Sequence, residues 1–275
     1  MSLTSFIKTP EVREKFAQEF PMPAFNLKSK ILCPPRTENY SLIGTAFDYL
    51  LRFYLKYNNP SAVTNGWVAE LAVEKTKPYP ELFEKTEPML QQAKKVYEKY
   101  LKSGELNDEL VKATIHLAQL DPIFRAGKVY PNLGVIDNED VKDLRCLISN
   151  VKLSNFKAEK ACLLNPTFCG ESIVGGADAD LVIDNSLIDV KTTKDLRLSR
   201  DNFNQLIGYY ILYKIAGINQ YGEDLEIKRL GVYSSRYGAL FTLPTDTILK
   251  SVDIEEFIRW FKKKAKEQFG HLKSN

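Results

Sequence analysis

Acidic residues and one lysine are crowded into the segment 175–194, which reads GGADADLVIDNSLIDVKTTK. Two short apolar runs lie within it, at residues 179–183 and 187–190, and the tripeptide Asp-Asn-Ser at 184–186 separates them. Because Asp and Asn favour tight turns, the two runs are predicted to pair as a β-hairpin. Asn185 and Ser186 are predicted to occupy the centre of the turn.

The predicted turn determines which side chains meet. Counting outward from it, Val182 faces Asp189 and Asp180 faces Lys191. Directly opposed residues project from the same face of a strand pair, and the face alternates along each strand. Asp178 has the same parity, so this hairpin is expected to carry three carboxylates and one ammonium on one face.

Such a cluster is unfavourable by itself, because like charges repel and partial burial raises the cost of each charge. A hard divalent cation relieves the repulsion, and carboxylates with water supply the oxygen ligands that Mg²⁺ or Mn²⁺ prefers. The bound ion would lower the pKa of a coordinated water and neutralise charge on a phosphate. Lys191 would orient the attacking water or stabilise the transition state. The chemistry indicated is metal-assisted hydrolysis at phosphorus.

The order of these residues resembles that of a known family. Asp180 followed by Asp189-Val-Lys191 is similar to the Asp…(Asp/Glu)-x-Lys signature of the PD-(D/E)XK nuclease superfamily. Gln205-Leu-Ile-Gly-Tyr209 is similar to the Gln-x-x-x-Tyr motif of its RecB-like branch. Upstream, Gly44-Thr-Ala-Phe-Asp48-Tyr-Leu-Leu51 resembles the Gly-x-x-x-His-x-x-Leu helix of that branch.

The resemblance implies a metal-dependent nuclease that hydrolyses DNA and uses Mg²⁺ or Mn²⁺. The catalytic residues it implies are Asp180, Asp189, Lys191, Gln205 and Tyr209. The metal ligands it implies are the carboxylates of Asp180 and Asp189, the Val190 carbonyl and, as an extra ligand, Asp48. The side chains expected to contact nucleic acid, through phosphates or by stacking on bases, are Lys194, Arg197, Arg236 and Tyr237.

Two of these assignments have alternatives. Gly175-Gly-Ala-Asp178 fits a Gly-x-x-Asp pattern, so Asp178 competes with Asp180 for the place of first metal ligand. Asp180 is favoured because it borders the apolar strand and faces the lysine. Arg236 and Tyr237 are explained equally well by a hairpin turn.

Asp48 departs from the family pattern, which often has histidine at this position. Exonucleolytic members often rely on that histidine, so exonuclease action is in doubt. The departure also motivates an alternative, in which the chain keeps the PD-(D/E)XK fold as a catalytically inactive protein that binds nucleic acid or a protein partner.

Hydrophobic periodicity divides the chain into a helical part and a sheet part. The predicted helices lie at about 11–19, 41–55, 61–75, 80–103, 107–119, 202–215 and 253–269. The predicted strands lie within 161–168, at 179–183 and 187–190, and at 229–234 and 239–243. Strands and helices alternating around a mixed sheet indicate an α/β fold.

The predicted organisation is an irregular N-terminal arm at 1–40 and a single nuclease-like domain at 41–275. Within that domain, residues 41–150 are mainly helical and residues 151–275 form the sheet core with the catalytic hairpin. The resemblance implies a restriction-endonuclease-like core, in which helices flank a mixed central sheet.

Composition restricts the remaining possibilities. The 38 basic and 35 acidic side chains of the 275 residues give a net charge of +3, which is too balanced to indicate nucleic-acid binding by itself. No secretory signal or membrane span is predicted, so a cytoplasmic protein with four reduced cysteines is expected. The cysteine order does not match the iron–sulfur pattern of some RecB-like nucleases, and the two histidines fit neither a zinc site nor a serine–histidine triad.

Overall fold

The computed structural model describes residues 2–169, 173–219, 221 and 225–269. Its helices are α1 (Leu3–Phe6), α2 (Pro10–Glu19), α3 (Tyr40–Asn58), α4 (Val68–Thr76), α5 (Pro80–Ser103), α6 (Asp108–Ala126), α7 (Asn138–Ser149), α8 (Arg200–Ala216), α9 (Thr245–Leu249) and α10 (Ile254–Phe269). Its strands are β1 (Val63–Thr64), β2 (Cys162–Leu164), β3 (Leu181–Ile183), β4 (Ser186–Lys191), β5 (Arg229–Ser234) and β6 (Ala239–Pro244).

The six strands form one mixed sheet in the order β1-β2-β3-β4-β5-β6. Strands β2, β3 and β4 form an antiparallel meander, and α8 then crosses the sheet so that β5 pairs parallel to β4. Strand β6 returns antiparallel to β5, while the two-residue β1 lies parallel to β2 at the other edge. The predicted α/β class and the predicted order of three strands, helix, two strands and helix are confirmed.

The sheet separates two hydrophobic cores. Alternate strand residues, including Leu181 and Ile188, face the core built mainly from α3 to α7. Their neighbours Val182 and Leu187 face the core built from α1, α2, α8 and α10. This alternation is expected for strands that are covered on both faces. It means that every second residue of the hairpin projects toward α8.

The hairpin has a different turn from the predicted one. Ile183 pairs with Ser186, so Asp184 and Asn185 occupy the centre of the turn. Asp184 has a φ of 50°, and its carboxylate accepts hydrogen bonds from the backbone N–H groups of 159, 160 and 161. These bonds stabilise the left-handed turn residue and lower its pKa against the effect of burial. Asp184 is therefore a structural turn residue, as expected.

The changed turn shifts the register by two residues. Continued outward, the observed pairing places Asp180 beside Asp189, whereas the prediction placed Asp180 opposite Lys191. A shift of two residues keeps each side chain on its predicted face, because the side-chain period of a strand is two. Asp180, Asp189 and Lys191 therefore lie on one face of the hairpin as predicted, although the predicted register is wrong.

Several element boundaries also differ from the predictions. No helix begins near Ser61, because this segment forms β1 and α4 starts only at Val68, where Glu70 accepts the backbone N–H of Trp67 at 2.9 Å. Helix α6 continues beyond the predicted 119 to Ala126, and α7 was not predicted at all. The strand predicted within 161–168 is limited to β2.

The segment 1–40 contributes to the core rather than forming only an arm. Phe6 packs edge-on against Phe261 at 5.2 Å between ring centroids, and Phe16 packs against Phe257 at 5.1 Å. Helices α1 and α2 thereby cover α8 and α10 on one face of the sheet. The short helix predicted at 11–19 is confirmed, and the extended stretch that follows it leads to Cys33.

Cys33 and Cys146 form a disulfide with 5.7 Å between their Cα atoms, so the expectation of four reduced cysteines is wrong for this pair. The bond connects the extended stretch to α7. Cys162 is buried and Cys169 exposed as free thiols. No helix in the described ranges is both long and apolar enough to cross a membrane.

A buried ion pair joins α7 to the turn between β5 and β6. Both terminal nitrogens of Arg236 donate to the carboxylate of Asp143, at 2.8 and 3.0 Å, and Nη1 also donates to the carbonyl of Cys33 at 2.9 Å. Only 1% of Arg236 is exposed. Tyr237 is buried beside it and donates its hydroxyl proton to the carbonyl of Lys194. The structure therefore does not support contact of Arg236 or Tyr237 with nucleic acid, since both are held inside the fold; the turn explanation is favoured.

Replacing Arg236 by Met is expected to lower the free energy of unfolding by about 3–5 kcal/mol, because the Asp143 carboxylate would stay buried without its partner. Urea unfolding followed by tryptophan fluorescence measures the loss. Addition of Asp143→Leu should recover most of it. As a control, Arg36→Met breaks the exposed ion pair between Arg36 and Glu139 of α7 and should cost about 0–1 kcal/mol. Equal losses in the two single variants would contradict this account.

Candidate active site

The two hairpin carboxylates converge at one end of the hairpin. Asp180 directly precedes β3, and its Oδ2 accepts the backbone N–H of Val190 at 2.5 Å. Asp189 lies in β4, and its side chain is only 2% exposed. Both side chains are on the face toward α8, because they share the parity of Val182 and Leu187. The backbone of β4 thus fixes Asp180 against Asp189.

Lys191 neutralises this acidic pair in part. Its Nζ lies 2.7 Å from Asp189 Oδ2. The ammonium is the charged partner of the buried Asp189 carboxylate and opposes the rise in its pKa that burial causes. One ammonium balances only one of the two buried carboxylates, and a buried charge without a partner is costly. The cluster therefore suits a further positive charge.

Helix α8 completes the cluster. Lys191 donates to Gln205 Oε1 at 3.1 Å, and Gln205 Nε2 donates to the hydroxyl of Tyr209 at 2.8 Å. Gln205 and Tyr209 are four residues apart and so lie on the same side of the helix. Tyr209 stacks on Phe168 with ring centroids 5.6 Å apart. The structure therefore brings together all five residues that the sequence predicted to be catalytic.

The helix that presents these two residues begins at a well-defined cap. Ser199 accepts the backbone N–H of Asn202, which satisfies one of the first free donors of α8. The apolar residues of α8 pack on the sheet, and Gly208 permits the close approach of Leu3 at 3.0 Å from where a Cβ would stand. The register of α8 over the hairpin is thus set by packing, and Gln205 is held next to Lys191.

The electrostatics of the cluster follow from burial and like charge. Desolvation and then the negative charge of Asp189 raise the pKa of Asp180 well above its usual value. Desolvation also raises the pKa of Asp189, against the opposing effect of Lys191. Burial would lower the pKa of Lys191, but the two carboxylates outweigh it and raise that pKa. Desolvation and the same carboxylates raise the pKa of Tyr209, so its hydroxyl stays protonated.

Asp48 lies near the cluster but has a partner of its own. Its Oδ2 is 2.6 Å from Nη2 of Arg52, one turn farther along α3. Its negative charge nevertheless contributes to the raised pKa of Asp180. Arg52 is buried and also lies over the ring of Tyr49, 4.5 Å from the centroid. A cation that recruited Asp48 as a ligand would have to compete with this guanidinium.

Asp178, the alternative first metal ligand, is paired with Arg125, which is not among the site residues predicted from the sequence. Its Oδ2 accepts Nη2 of Arg125 at 3.0 Å, and Arg125 Nε also lies 3.8 Å from Asp121 Oδ2. This engagement favours Asp180 as the ligand beside Asp189. The i,i+4 spacing of Asp121 and Arg125 is a sequence signal for a helical ion pair, but it does not reveal the contact with Asp178.

The two other basic candidates remain accessible. Lys194 is exposed just after β4, and Arg197 is exposed with only a 3.6 Å contact to Asp195. Both lie between the hairpin and α8, on the segment that connects Lys191 to Gln205. Their position is compatible with phosphate contacts, and their predicted role stays a prediction.

The donor set suits a hard divalent cation. Asp180 and Asp189 present carboxylate oxygens, and the ammonium of Lys191 balances only one of the two charges. Within the described residues, no group of three or more His, Cys, Asp or Glu side chains is arranged to hold a metal ion. Mg²⁺ usually binds one or two carboxylates and takes its other ligands from water and substrate phosphate, so a two-carboxylate site fits it. The Val190 carbonyl would be the next ligand in the chain.

The protein is thus an α/β protein in which charged side chains cluster where strand β4 meets helix α8. Comparison of the chain with family models, curated proteins and solved structures finds no match.

Replacing Asp180 by Asn is expected to raise the midpoint of thermal unfolding at pH 8 by about 2 °C or more in EDTA. The raised pKa of Asp180 means that its ionised form is disfavoured in the folded protein, and Asn removes this cost. Mn²⁺ should then stabilise the wild-type protein and have little effect on the variant, because a ligand that binds only the folded state raises its stability. Differential scanning fluorimetry gives both readouts, and a variant less stable than wild type in EDTA would contradict the prediction.

Asp121 is expected to produce a separate pH dependence. Burial raises its pKa to about 6, although Tyr49 donates to its Oδ1 at 2.7 Å. The folded state then holds a proton that the unfolded state releases near pH 4, so Asp121 lowers stability progressively from about pH 4 to pH 6. The stability of wild type relative to Asp121→Asn should fall by up to about 3 kcal/mol over this range. Urea unfolding at several pH values measures it, and a constant difference would refute the assignment.

Proposed function

We propose that this chain is a divalent-metal-dependent nuclease that hydrolyses phosphodiester bonds of DNA. The observation that carries the proposal is the connected cluster from Asp180 and Asp189 through Lys191 to Gln205 and Tyr209. Such a buried arrangement is unfavourable for folding, and groups of this kind with shifted pKa values concentrate at functional sites. The cluster also contains every catalytic residue implied by the resemblance to the RecB-like branch.

The topology supports the finer assignment of a restriction-endonuclease-like core. Strands β2 to β4 form a meander, α8 crosses over, and β5 joins parallel to β4. Asp180 directly precedes the second strand of the meander, Asp189 lies on the third, and the Gln-x-x-x-Tyr residues lie on the crossover helix. This is the order of elements that the resemblance implies.

The carboxylates of Asp180 and Asp189, with the Val190 carbonyl, would hold Mg²⁺ or Mn²⁺. The bound ion would supply an acidified water and charge neutralisation at the phosphate. Lys191 contributes a fixed ammonium at the same point, since Asp189 and Gln205 hold it from two sides. It orients the attacking water and stabilises negative charge that develops in the transition state.

Gln205 and Tyr209 act on the lysine and on the substrate. Gln205 uses its amide oxygen for Lys191 and its amide nitrogen for Tyr209, which restricts the orientation of all three side chains. Because Tyr209 accepts the bond from Gln205 and keeps its own proton, its hydroxyl can donate to a phosphate oxygen. The segment with Lys194 and Arg197 extends the positive charge away from the site toward a bound strand.

A second candidate is the catalytically inactive binding protein, and the ion pair between Asp48 and Arg52 favours it. The pair occupies the position where the family often has histidine, and it leaves Asp48 committed to a buried arginine. In that case the fold would bind nucleic acid, or a protein partner, without cleaving it. Metal-dependent cleavage distinguishes the two functions.

Incubation of end-labelled single- and double-stranded DNA with Mg²⁺ or Mn²⁺ is expected to give cleavage that EDTA abolishes. Asp189→Asn and Lys191→Ala should each lower the rate by about 10²–10⁴-fold, because each removes a group needed at the reacting phosphate. Product length on denaturing gels reports whether cleavage is internal or terminal.

Matched controls are available on the same helix as Gln205. Asp201→Asn alters a half-exposed aspartate that pairs with Arg13, and Lys214→Ala alters an exposed lysine near the other end of α8. Both variants should cleave at the wild-type rate. Unchanged activity in Asp189→Asn and Lys191→Ala would reject the assigned roles, and tight DNA binding without cleavage would favour the inactive protein.

A further inference from the structure

Arg125 is the most exposed of the cations that contact the described acidic residues around the candidate active site. The Asp, Arg and Lys side chains of this neighbourhood are Asp48, Asp121, Asp178, Asp180, Asp189, Arg52, Arg125 and Lys191. Among its cations, the side chain of Arg52 is 6% exposed and that of Lys191 is 22% exposed. The side chain of Arg125 is 51% exposed.

Two carboxylates hold the guanidinium in place. Nη2 of Arg125 donates to Asp178 at 3.0 Å, and Nε lies 3.8 Å from Asp121. Within the described ranges, Nη1 makes no hydrogen bond or ion pair, so one end of the planar group is available to a ligand. An arginine oriented by carboxylates is well suited to bind a phosphate, because its donors are already fixed in a fork.

The position of Arg125 relative to the cluster follows from its contact with Asp178. Asp178 precedes Asp180 by two residues, at a β-bridge with Thr167 just before the bend at Asp180, so the two Cα atoms are at most about 7 Å apart. Arg125 therefore lies beside the acidic centre rather than within it. A nucleic-acid strand with one phosphate at Asp180 and Asp189 would carry a neighbouring phosphate toward this side.

We infer that Arg125 binds a non-scissile phosphate of the nucleic-acid strand that enters the candidate active site. This inference rests on the proposed function and adds to it a substrate-positioning residue on α6. The last turn of α6, past Pro122, carries Arg125 to Asp178.

The experiment compares Arg125→Gln, Arg125→Lys and the control Arg145→Gln. Arg145 is similarly exposed and also pairs with an aspartate, Asp108, but it lies on α7 outside the cluster. Steady-state cleavage of DNA with Mn²⁺ gives KM and kcat. Fluorescence anisotropy in Ca²⁺ gives DNA affinity over a range of salt concentrations, and thermal unfolding establishes that each variant is folded.

Arg125→Gln is expected to raise KM and weaken DNA binding about tenfold, with kcat changed by less than about threefold. The slope of log affinity against log salt should decrease by about one, because one phosphate contact is lost. Arg125→Lys should recover part of the affinity, and Arg145→Gln should match wild type. If Arg125→Gln is unstable, Arg125→Lys should still bind DNA more weakly than wild type, because lysine lacks the planar fork, and equal affinity would overturn the inference.

The outcomes separate this inference from the proposed nuclease activity. Cleavage by wild type with equal KM and equal salt slope in Arg125→Gln would overturn the inference and leave the proposed function in place. Salt-dependent DNA binding that is lost in Arg125→Gln, without any cleavage, would support the phosphate contact while rejecting hydrolysis. Absence of both binding and cleavage would overturn both.

Discussion

The charge balance at the end of the hairpin is the constraint on which the candidate active site depends. Asp180, directly before β3, lies beside Asp189 of β4, and the ammonium of Lys191 lies 2.7 Å from Asp189. Burial and mutual repulsion make this arrangement costly, and the rest of the fold must impose it. The backbone N–H of Val190 and the amide of Gln205 provide the compensating hydrogen bonds.

The remainder of the structure is arranged to hold that balance rigidly. The sheet is covered on both faces, so the strands that carry the carboxylates cannot slide or twist freely. The buried pair of Arg236 and Asp143 joins the β5–β6 turn to α7, and the hydroxyl of Ser235 reaches the carbonyl of Lys191 at 3.3 Å. Arg236, which the sequence predicts to contact nucleic acid, is thus a buried residue that helps to hold this part of the fold.

Polar groups are shared between structural and chemical tasks at this end of the molecule. Asp178 and Asp121 orient Arg125, and Asp48 neutralises Arg52, so that carboxylates from α3, from α6 and from the segment before β3 lie around the end of the hairpin. The excess of negative charge favours a divalent cation, whereas the accessible guanidinium favours an anionic ligand. The proposed substrate, a phosphodiester bound together with a metal ion, would meet both requirements.

The sequence by itself determined the α/β class, most of the helices and the side of the hairpin on which Asp180, Asp189 and Lys191 lie. These features follow from local periodicity. The error in the turn shifted the strand register by two residues, and because side chains alternate with a period of two, the three residues stay on the same face. The ordered motif likewise singled out Gln205 and Tyr209, and in the structure Gln205 bonds to both Lys191 and Tyr209.

Only the tertiary structure decided the turn, the role of Arg236 and the contact of Arg125 with Asp178. The turn depends on backbone donors some 25 residues upstream of Asp184, and the burial of Arg236 depends on α7, more than 90 residues earlier. Arg125 meets Asp178 across 53 residues. Such pairings are set by how distant elements pack, and no local pattern of residue types contains that information.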